Sequence, residues 1–330
     1  MARSVRTGSG GNSPSGGSTP VPPRRGTKAA RQTGRSARPR SGSQARQRRR
    51  RNQRLIGIGA SALIVIVIAV LVAVKLSSGT STNQEASASV TPAQLSQVSG
   101  IPVNTLVAAA KAAQPSAVNP PTALPGGVKP LTSAGKPEVL YMGAEYCPYC
   151  AAERWPLVMA LSKFGTFSNL HSTTSSSTDV NANTPTFTFV GSTYSSPYLV
   201  FTPVEMENRA GKPLQNPTAQ QNSILSSYDV PPYTTSAGTI PFLDMGGKFV
   251  VNGTEYDGAA LAGKSFDSTV GYITSANNPT SRAAEAVAGH LVGAICALTN
   301  DQPSSVCSAV PASLKTGVSS SGNQGSSTGG

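Results

Sequence analysis

The first 54 residues contain no aspartate or glutamate, and almost no large apolar side chain precedes Leu55. Fifteen of the 27 basic residues lie in this segment, so the rest of the chain carries twelve basic residues against all fourteen acids. The net charge of +13 therefore belongs to the N-terminal segment, and the rest of the chain is slightly acidic. Arginine, glycine, serine and proline cannot bury a core, and we predict that residues 1–54 are disordered.

A run without any charged side chain extends from Leu55 to Val74. Twenty helical residues span about 30 Å, which matches the hydrocarbon core of a bilayer. A polybasic segment before such a run orients the N-terminus towards the cytoplasm. A cleaved signal peptide is the alternative, but the run is long for one and no Ala-x-Ala site closes it. We therefore predict an uncleaved transmembrane helix, with the chain after Lys75 outside the cytoplasm.

The arginine cluster from Arg46 to Arg54 has two other interpretations, a nucleic-acid patch and a localisation signal. Its position directly before the apolar run favours contact with anionic lipid headgroups instead. We therefore predict that membrane lipid is the partner of the basic tail and the transmembrane helix, and we expect no nucleic-acid partner.

Histidine and cysteine are scarce. The histidines are His171 and His290, and the four cysteines occupy positions 147, 150, 296 and 307. The cysteines lack the second close pair of a zinc ribbon, and the histidines lie at no ligand spacing. We therefore predict neither a bound metal ion nor a cofactor. Outside the cytoplasm, a close pair of cysteines can instead be oxidised to a disulfide.

The most informative pattern is the pair Cys147 and Cys150, which follows the apolar run Val139–Met142 and precedes the helix-forming segment Ala151–Trp155. This order predicts strand, turn and helix, with the first sulfur at a helix N-terminus. Unpaired N–H groups there favour the thiolate, which is the form that attacks disulfides. We assign Cys147 as the nucleophile and Cys150 as the resolving thiol of a redox-active Cys147–Cys150 disulfide. Tyr149 lacks the charge of a histidine, so a strongly oxidising potential is not implied.

A second pattern lies far downstream, where Pro241 interrupts the strand-like segment Thr239–Phe242. Together with the Cys-Pro-Tyr-Cys motif, this segment resembles the thioredoxin superfamily, over roughly Val139 to Leu298. The resemblance implies that Pro241 is cis, packs against the dithiol and leaves neighbouring backbone free to pair with a substrate strand. A trans proline on an edge strand is the alternative. The layout is most similar to an uncharacterised membrane-anchored family, domain of unknown function 929, whose name implies no activity.

The remaining elements are predicted from hydrophobic periodicity. Strands are expected at 167–172, 186–190, 198–205, 239–243 and 248–251, and helices at 105–113, 219–228 and 281–298. The strands at 186–190 and 198–205 are expected to form a hairpin inserted between the dithiol and Pro241. Glu145 and Glu153 are expected to be solvated surface carboxylates, with proton relay as the alternative.

The predicted fold class is α/β, a thioredoxin-like mixed sheet flanked by helices, with a β-rich insertion and a C-terminal helix. One N-terminal transmembrane helix tethers this extracytoplasmic domain to the cell membrane. The predicted boundaries are a basic cytoplasmic tail at 1–54, the transmembrane helix at 55–74, a linker at 75–94, the domain at 95–312 and a disordered Gly/Ser tail at 313–330.

A second cysteine pair is predicted near the C-terminus. Cys296 lies near the end of the predicted last helix, and the turn at 300–303 can return Cys307 alongside it. Because the cysteine count is even and the other pair is accounted for, we predict a Cys296–Cys307 disulfide. It is either structural or a second redox pair that relays electrons to Cys147 and Cys150. The wide spacing favours the structural role.

Together these patterns predict a membrane-anchored, extracytoplasmic thiol–disulfide oxidoreductase. Its expected partners are exported protein substrates and an unidentified redox partner. The predicted reaction is the oxidation, reduction or isomerisation of substrate disulfides, which share one mechanism. The alternative is a redox-inert thioredoxin-like module that binds or scaffolds proteins of the cell envelope. A third interpretation makes the basic tail the functional part, binding nucleic acid or lipid in the cytoplasm.

Overall fold

A computed structural model of the chain describes residues 87–234 and 236–319. The predicted basic tail and the predicted transmembrane helix at 55–74 lie outside the described residues, as does most of the predicted linker. Within the described part, no helix combines the length and the apolar composition that crossing a membrane requires. The described residues form a mixed α/β structure.

The elements are numbered in chain order. The strands are β1 (Ala88–Ser89), β2 (Thr122–Ala123), β3 (Thr132–Ser133), β4 (Lys136–Gly143), β5 (Thr166–Ser168), β6 (His171–Thr174), β7 (Pro185–Thr188), β8 (Thr193–Ser195), β9 (Val200–Glu205), β10 (Phe242–Met245) and β11 (Phe249–Asn252). The helices are α1 (Pro92–Ser99), α2 (Val103–Ala112), α3 (Pro148–Leu161), α4 (Ala219–Tyr228), α5 (Phe266–Ile273), α6 (Pro279–Leu298) and α7 (Ser304–Cys307).

Strand β4 lies within a six-stranded sheet of order β2-β11-β10-β4-β3, in which β9 also pairs with β4. β10 runs antiparallel to β4, with Phe242 opposite Met142, whereas β9 runs parallel to β4. Successive side chains of a strand point to opposite faces. Val139 and Tyr141 accordingly pack into the larger hydrophobic core, while Leu140 and Met142 pack into a smaller one. β4 is therefore buried on both faces, and the loop that carries the dithiol begins at its C-terminal end.

Helices cover both faces of this sheet. On the side of the larger core, α6 packs against α2 and α3. Gly289 permits the close approach of α2, because a Cβ atom there would lie 2.2 Å from the carbonyl oxygen of Leu106. On the other side, Ile224 and Leu225 of α4 pack against the smaller core. The loop that carries the dithiol therefore follows a strand whose sheet is packed on both faces.

Several predicted elements are confirmed. Helix α4 has the predicted bounds, and α6 begins at Pro279, where the side chain of Asn278 accepts a hydrogen bond from the N–H of Ser281 and so caps the helix. β10 and β11 overlap the strands predicted at 239–243 and 248–251, and they pair with each other antiparallel. Trp155 is fully buried, and its indole N–H donates to the carbonyl of Pro185 at 3.0 Å.

The predicted hairpin is wrong. The segment at 186–190 corresponds to β7, which pairs with β6, and the segment at 198–205 corresponds to β9, which joins the central sheet beside β4. The predicted strand at 167–172 is divided into β5 and β6, because Asn169 adopts a positive φ of 56°. The folded part also begins upstream of residue 95, since β1 pairs with β6 and Thr91 caps α1.

Candidate active site

The dithiol lies where β4 gives way to α3. Cys147 is the N-cap residue of α3 and Pro148 occupies the first turn, so the chain leaves the strand and enters the helix at the first cysteine. The sulfur of Cys147 accepts a hydrogen bond from the backbone N–H of Cys150 at 3.2 Å. Both cysteines are free thiols and both are buried, Cys147 with 5% of its surface exposed and Cys150 with none. Cys147 is therefore the more accessible of the two, as expected.

The two thiols have opposite electrostatic environments. A hydrogen bond with the Cys150 side chain lowers the pKa of Cys147; the N–H of Cys150 and the charge of Arg154 lower it further, while burial opposes them. Burial raises the pKa of Cys150 well above its usual value, and the hydrogen bond to Cys147 adds to that rise. A thiolate at Cys147 beside a neutral thiol at Cys150 is the arrangement that an attacking and a resolving cysteine require.

The segment that carries Pro241 faces the first cysteine. The Ile240–Pro241 peptide bond is cis, which is the isomer expected from the sequence. The Cys147 thiol lies 3.7 Å from the carbonyl oxygen of Ile240, and the Ile240 side chain packs against Ala144 and the two cysteines. The structure therefore brings Cys147, Cys150 and the Pro241 segment together, although more than ninety residues separate them in the sequence.

A buried ion pair, which is not among the predicted features, lies beside the dithiol. Arg154 of α3 donates from Nε to Glu205 Oε1 at 2.9 Å and from Nη2 to Glu205 Oε2 at 2.6 Å, and both side chains are fully buried. Burial alone would lower the pKa of Arg154, but the Glu205 carboxylate and other neighbours raise it overall. Burial raises the pKa of Glu205, and the guanidinium lowers it by less. Because both carboxylate oxygens accept at short distance, we treat the pair as ionised.

Tyr141 completes the buried surroundings of this ion pair. The guanidinium carbon of Arg154 lies 5.6 Å from the centre of the Tyr141 ring, within the range of a cation–π interaction. Burial raises the pKa of Tyr141 well above its usual value, so the hydroxyl stays neutral. Gly143 makes room for this ring, since a Cβ atom there would lie 2.2 Å from the Tyr141 hydroxyl oxygen.

Glu153 is buried, so its predicted position on the surface is wrong. It has no exposed surface, and its Oε2 accepts from the backbone N–H of Glu255 at 3.2 Å. Burial raises the pKa of Glu153 to about 8, and burial followed by the neighbouring Glu153 raises that of Glu255 well above 4.5. Glu145, by contrast, is half-buried and accepts a hydrogen bond from the Thr188 hydroxyl at 2.6 Å.

The second cysteine pair is confirmed as a disulfide. Cys296 of α6 is bonded to Cys307 of α7, with their Cα atoms 5.6 Å apart. The Asp301 carboxylate lies within 4.8 Å of both sulfurs, so these three residues are a candidate group of metal ligands. Sulfurs that are joined in a disulfide cannot act as the thiolates that bind metal. The pair therefore fastens α7 to the end of α6.

Comparison with known proteins identifies the family without assigning an activity. No curated protein and no solved structure matches the chain. The family described as "Domain of unknown function (DUF929)" matches residues 127–296, which include the dithiol, the ion pair and the Pro241 segment. Since this match covers half of the chain, the protein belongs to the DUF929 family.

Proposed function

We propose that this protein is a thiol–disulfide oxidoreductase in which Cys147 attacks and Cys150 resolves. The observation that carries the proposal is the position of the Cys147 sulfur, at the N-cap of α3 and hydrogen-bonded to the N–H of Cys150. A negative charge on sulfur is stabilised there by the helix N-terminus. The carbonyl oxygen of Ile240 lies 3.7 Å from this sulfur, so the backbone next to Pro241 borders the nucleophile. An extended substrate can lie along that backbone.

The proposed reaction proceeds in two exchanges. The Cys147 thiolate attacks one sulfur of a substrate disulfide, forms a mixed disulfide and releases the other substrate sulfur as a thiolate. Cys150 then loses its proton to solvent and attacks the Cys147 sulfur, which releases the second substrate thiolate. The substrate disulfide gains two electrons, and the Cys147–Cys150 pair loses two as it forms its own disulfide. The same steps in reverse order oxidise a substrate dithiol.

The proposed fold is thioredoxin-like, and two features support it. The order strand, dithiol, helix is formed by β4, Cys147 and α3. The cis Pro241 is followed by the antiparallel strands β10 and β11, which join the same sheet as β4, and by the C-terminal helix α6. We propose further that the charge-free run from Leu55 to Val74 anchors the domain in the cell membrane. The preceding arginines would then place the domain outside the cytoplasm, where exported proteins are its substrates.

The proposal is tested by trapping the mixed disulfide. Cys150→Ser removes the resolving thiol, so we expect exported proteins to accumulate in disulfide-linked complexes that disappear under reducing conditions. Cys147→Ser is the matched control, because it keeps one cysteine of the pair but loses the attacking thiol. Complexes that form with Cys147→Ser and not with Cys150→Ser would reverse the two roles. Their absence from both variants would contradict the proposal.

A redox-inert binding or scaffold module of the cell envelope is the second candidate. The observation that favours it is the burial of both thiols, since only 5% of the Cys147 surface is exposed. The two candidates differ in the alkylation of Cys147 as a function of pH. An oxidoreductase is expected to show a depressed pKa at Cys147 and to reduce insulin, whereas an inert module would show an unshifted pKa and no insulin reduction.

A further inference from the structure

Arg154 lies on the same face of α3 as the dithiol. Cys147, Cys150 and Arg154 occupy positions i, i+3 and i+7 of the helical register, and such residues are stacked along one face. Long side chains in a helix point back towards its N-terminus, so the guanidinium of Arg154 extends towards the cysteines. It reaches beyond the helix itself, because Nη2 donates to the backbone carbonyl of Ala144 at 3.0 Å. Ala144 belongs to the turn that leads into Cys147.

Glu205 binds only part of the guanidinium. Nε and Nη2 are bound by Glu205, whereas Nη1 is buried and has no hydrogen-bond partner among the described residues. The positive charge of Arg154 lowers the pKa of both Cys147 and Cys150. Ala144, whose carbonyl accepts from Nη2, also packs against both cysteines, so the cation lies beside the residues that surround the dithiol.

We propose that Arg154 is a positioning residue of the dithiol, which fixes the turn before Cys147 through Ala144 and stabilises the negative charge that exchange places on the two sulfurs. Glu205 orients the guanidinium by binding two of its three nitrogens. In the first exchange the stabilised charge is on Cys147, and in the second it is on Cys150 as that thiol loses its proton. This inference rests on the proposed function, because it concerns the chemistry of the same site.

The test compares three variants of the full-length, reduced protein. The rate at which iodoacetamide alkylates Cys147 is measured against pH, with the modified peptide identified by mass spectrometry. Arg154→Met combined with Glu205→Gln removes both charges, and Glu205→Gln alone leaves the cation without its counter-charge. Arg154→Lys keeps the charge but loses the planar fork that binds both Glu205 oxygens. Thermal unfolding of each variant reports separately on stability.

Of the two charge changes, only removal of the cation is expected to lower the thiolate fraction of Cys147. The double variant should reduce the thiolate fraction of Cys147 at a given pH below its pKa by about tenfold, because loss of the Arg154 cation, which lowers the pKa of Cys147, is expected to outweigh loss of the Glu205 carboxylate. Glu205→Gln should leave that fraction unchanged or raise it, and Arg154→Lys should keep it within about threefold of the wild type. A merely structural role would lower the unfolding temperature of the variants without this divergence in the pH profiles.

Two outcomes would overturn the inference. One is a double variant that folds and alkylates with the wild-type pH profile. The other is a loss of thiolate in Glu205→Gln alone, because the glutamine keeps a side-chain oxygen that can accept from the guanidinium and removes only the counter-charge; this outcome remains decisive if the double variant fails to fold. Failure of the proposed function has a different signature, since the wild-type protein itself would then show no exchange with insulin. If wild-type exchange is intact but the Cys147 profile does not respond to Arg154, the inference alone is wrong.

Discussion

The paired carboxyl groups of Glu153 and Glu255 predict a fold that loses stability as the pH rises. Neither side chain has more than 2% of its surface exposed. Oε1 of Glu153 and both carboxyl oxygens of Glu255 have no hydrogen-bond partner among the described residues, and the Glu255 N–H that donates to Glu153 Oε2 offsets only part of the cost of an ionised carboxylate. Burial raises the pKa of Glu153 to about 8, whereas its ordinary value is 4.5. Folding therefore requires that these groups hold a proton at pH values where the unfolded chain has lost it.

The sign and size of the effect follow from this difference. A group whose pKa is raised by folding stabilises the fold fully below its unfolded pKa, and this contribution is lost as the pH rises through the folded pKa. For Glu153 the loss occurs between about pH 4.5 and about pH 8. At about 1.4 kcal/mol for each tenfold change, Glu153 alone lowers the free energy of unfolding by about 3 kcal/mol between pH 5 and pH 8.

Urea unfolding at a series of pH values tests this prediction with the variant Glu153→Gln. The variant lacks the group that ionises near pH 8, so its stability relative to the wild type should rise by about 3 kcal/mol from pH 5 to pH 8. Burial also raises the pKa of Asp229 and of Asp244 to about 6, and for this reason the difference between variant and wild type is the relevant quantity. Asp179→Asn, at an exposed position, is the matched control and should follow the wild-type curve.

The reasoning would be refuted by a Glu153→Gln curve that runs parallel to that of the wild type over the whole pH range. Such a result would mean that the carboxyl group ionises at the same pH in the folded and unfolded states. In a second variant, both Glu153 and Glu255 are replaced by glutamine. Its free energy of unfolding should depend on pH still less than that of Glu153→Gln.

Three further predictions concern other parts of the chain. Replacing Cys296 and Cys307 by alanine should lower the free energy of unfolding in urea by about 3 kcal/mol, as expected for opening a loop of this size, and an unchanged midpoint would contradict the structural role. Gly143→Ala should destabilise the fold by about 1–3 kcal/mol, with a smaller loss in a Tyr141→Phe background, because the new methyl group overlaps the Tyr141 hydroxyl. The full chain should remain in the membrane fraction after a carbonate wash, whereas a soluble, shortened form beginning near Ser77 would restore the signal-peptide interpretation.

Local sequence patterns predict the candidate dithiol and the longer elements, among them β4, β9, α2, α3, α4 and α6, but not the short strands β1, β2, β3 and β8 or the helices α1, α5 and α7. The position of Cys147 at a helix start follows from the residues on either side of it. Local patterns do not predict which strands pair with each other. Only the short strand β8 separates β7 from β9 in the sequence, so their two segments look like a hairpin, but β7 pairs with β6 and β9 with β4, which lie elsewhere in the sequence.

The buried positions of Glu153 and Arg154 are not predicted from the sequence for a related reason. Glu153 meets Glu255, and Arg154 meets Glu205, across separations of 102 and 51 residues that no local pattern encodes. One signal was present in the sequence. Nearly every residue of α3 is apolar apart from this adjacent pair of charges, and a helix without a polar face is buried on all sides. Charged residues in such a helix have to find partners in the interior.

The central claim is that Cys147 and Cys150 form one redox couple. Its most direct test is to equilibrate the purified full-length protein in glutathione buffers of defined potential and to measure free thiols at each position by alkylation and mass spectrometry. The account predicts that the two thiols disappear together with the two-electron dependence of a single disulfide, while Cys296 and Cys307 remain bonded throughout. A midpoint above the glutathione range would indicate an oxidase, and one below it a reductase. Thiols at 147 and 150 that stay free in the most oxidising buffer, or that form separate glutathione adducts, would contradict the account.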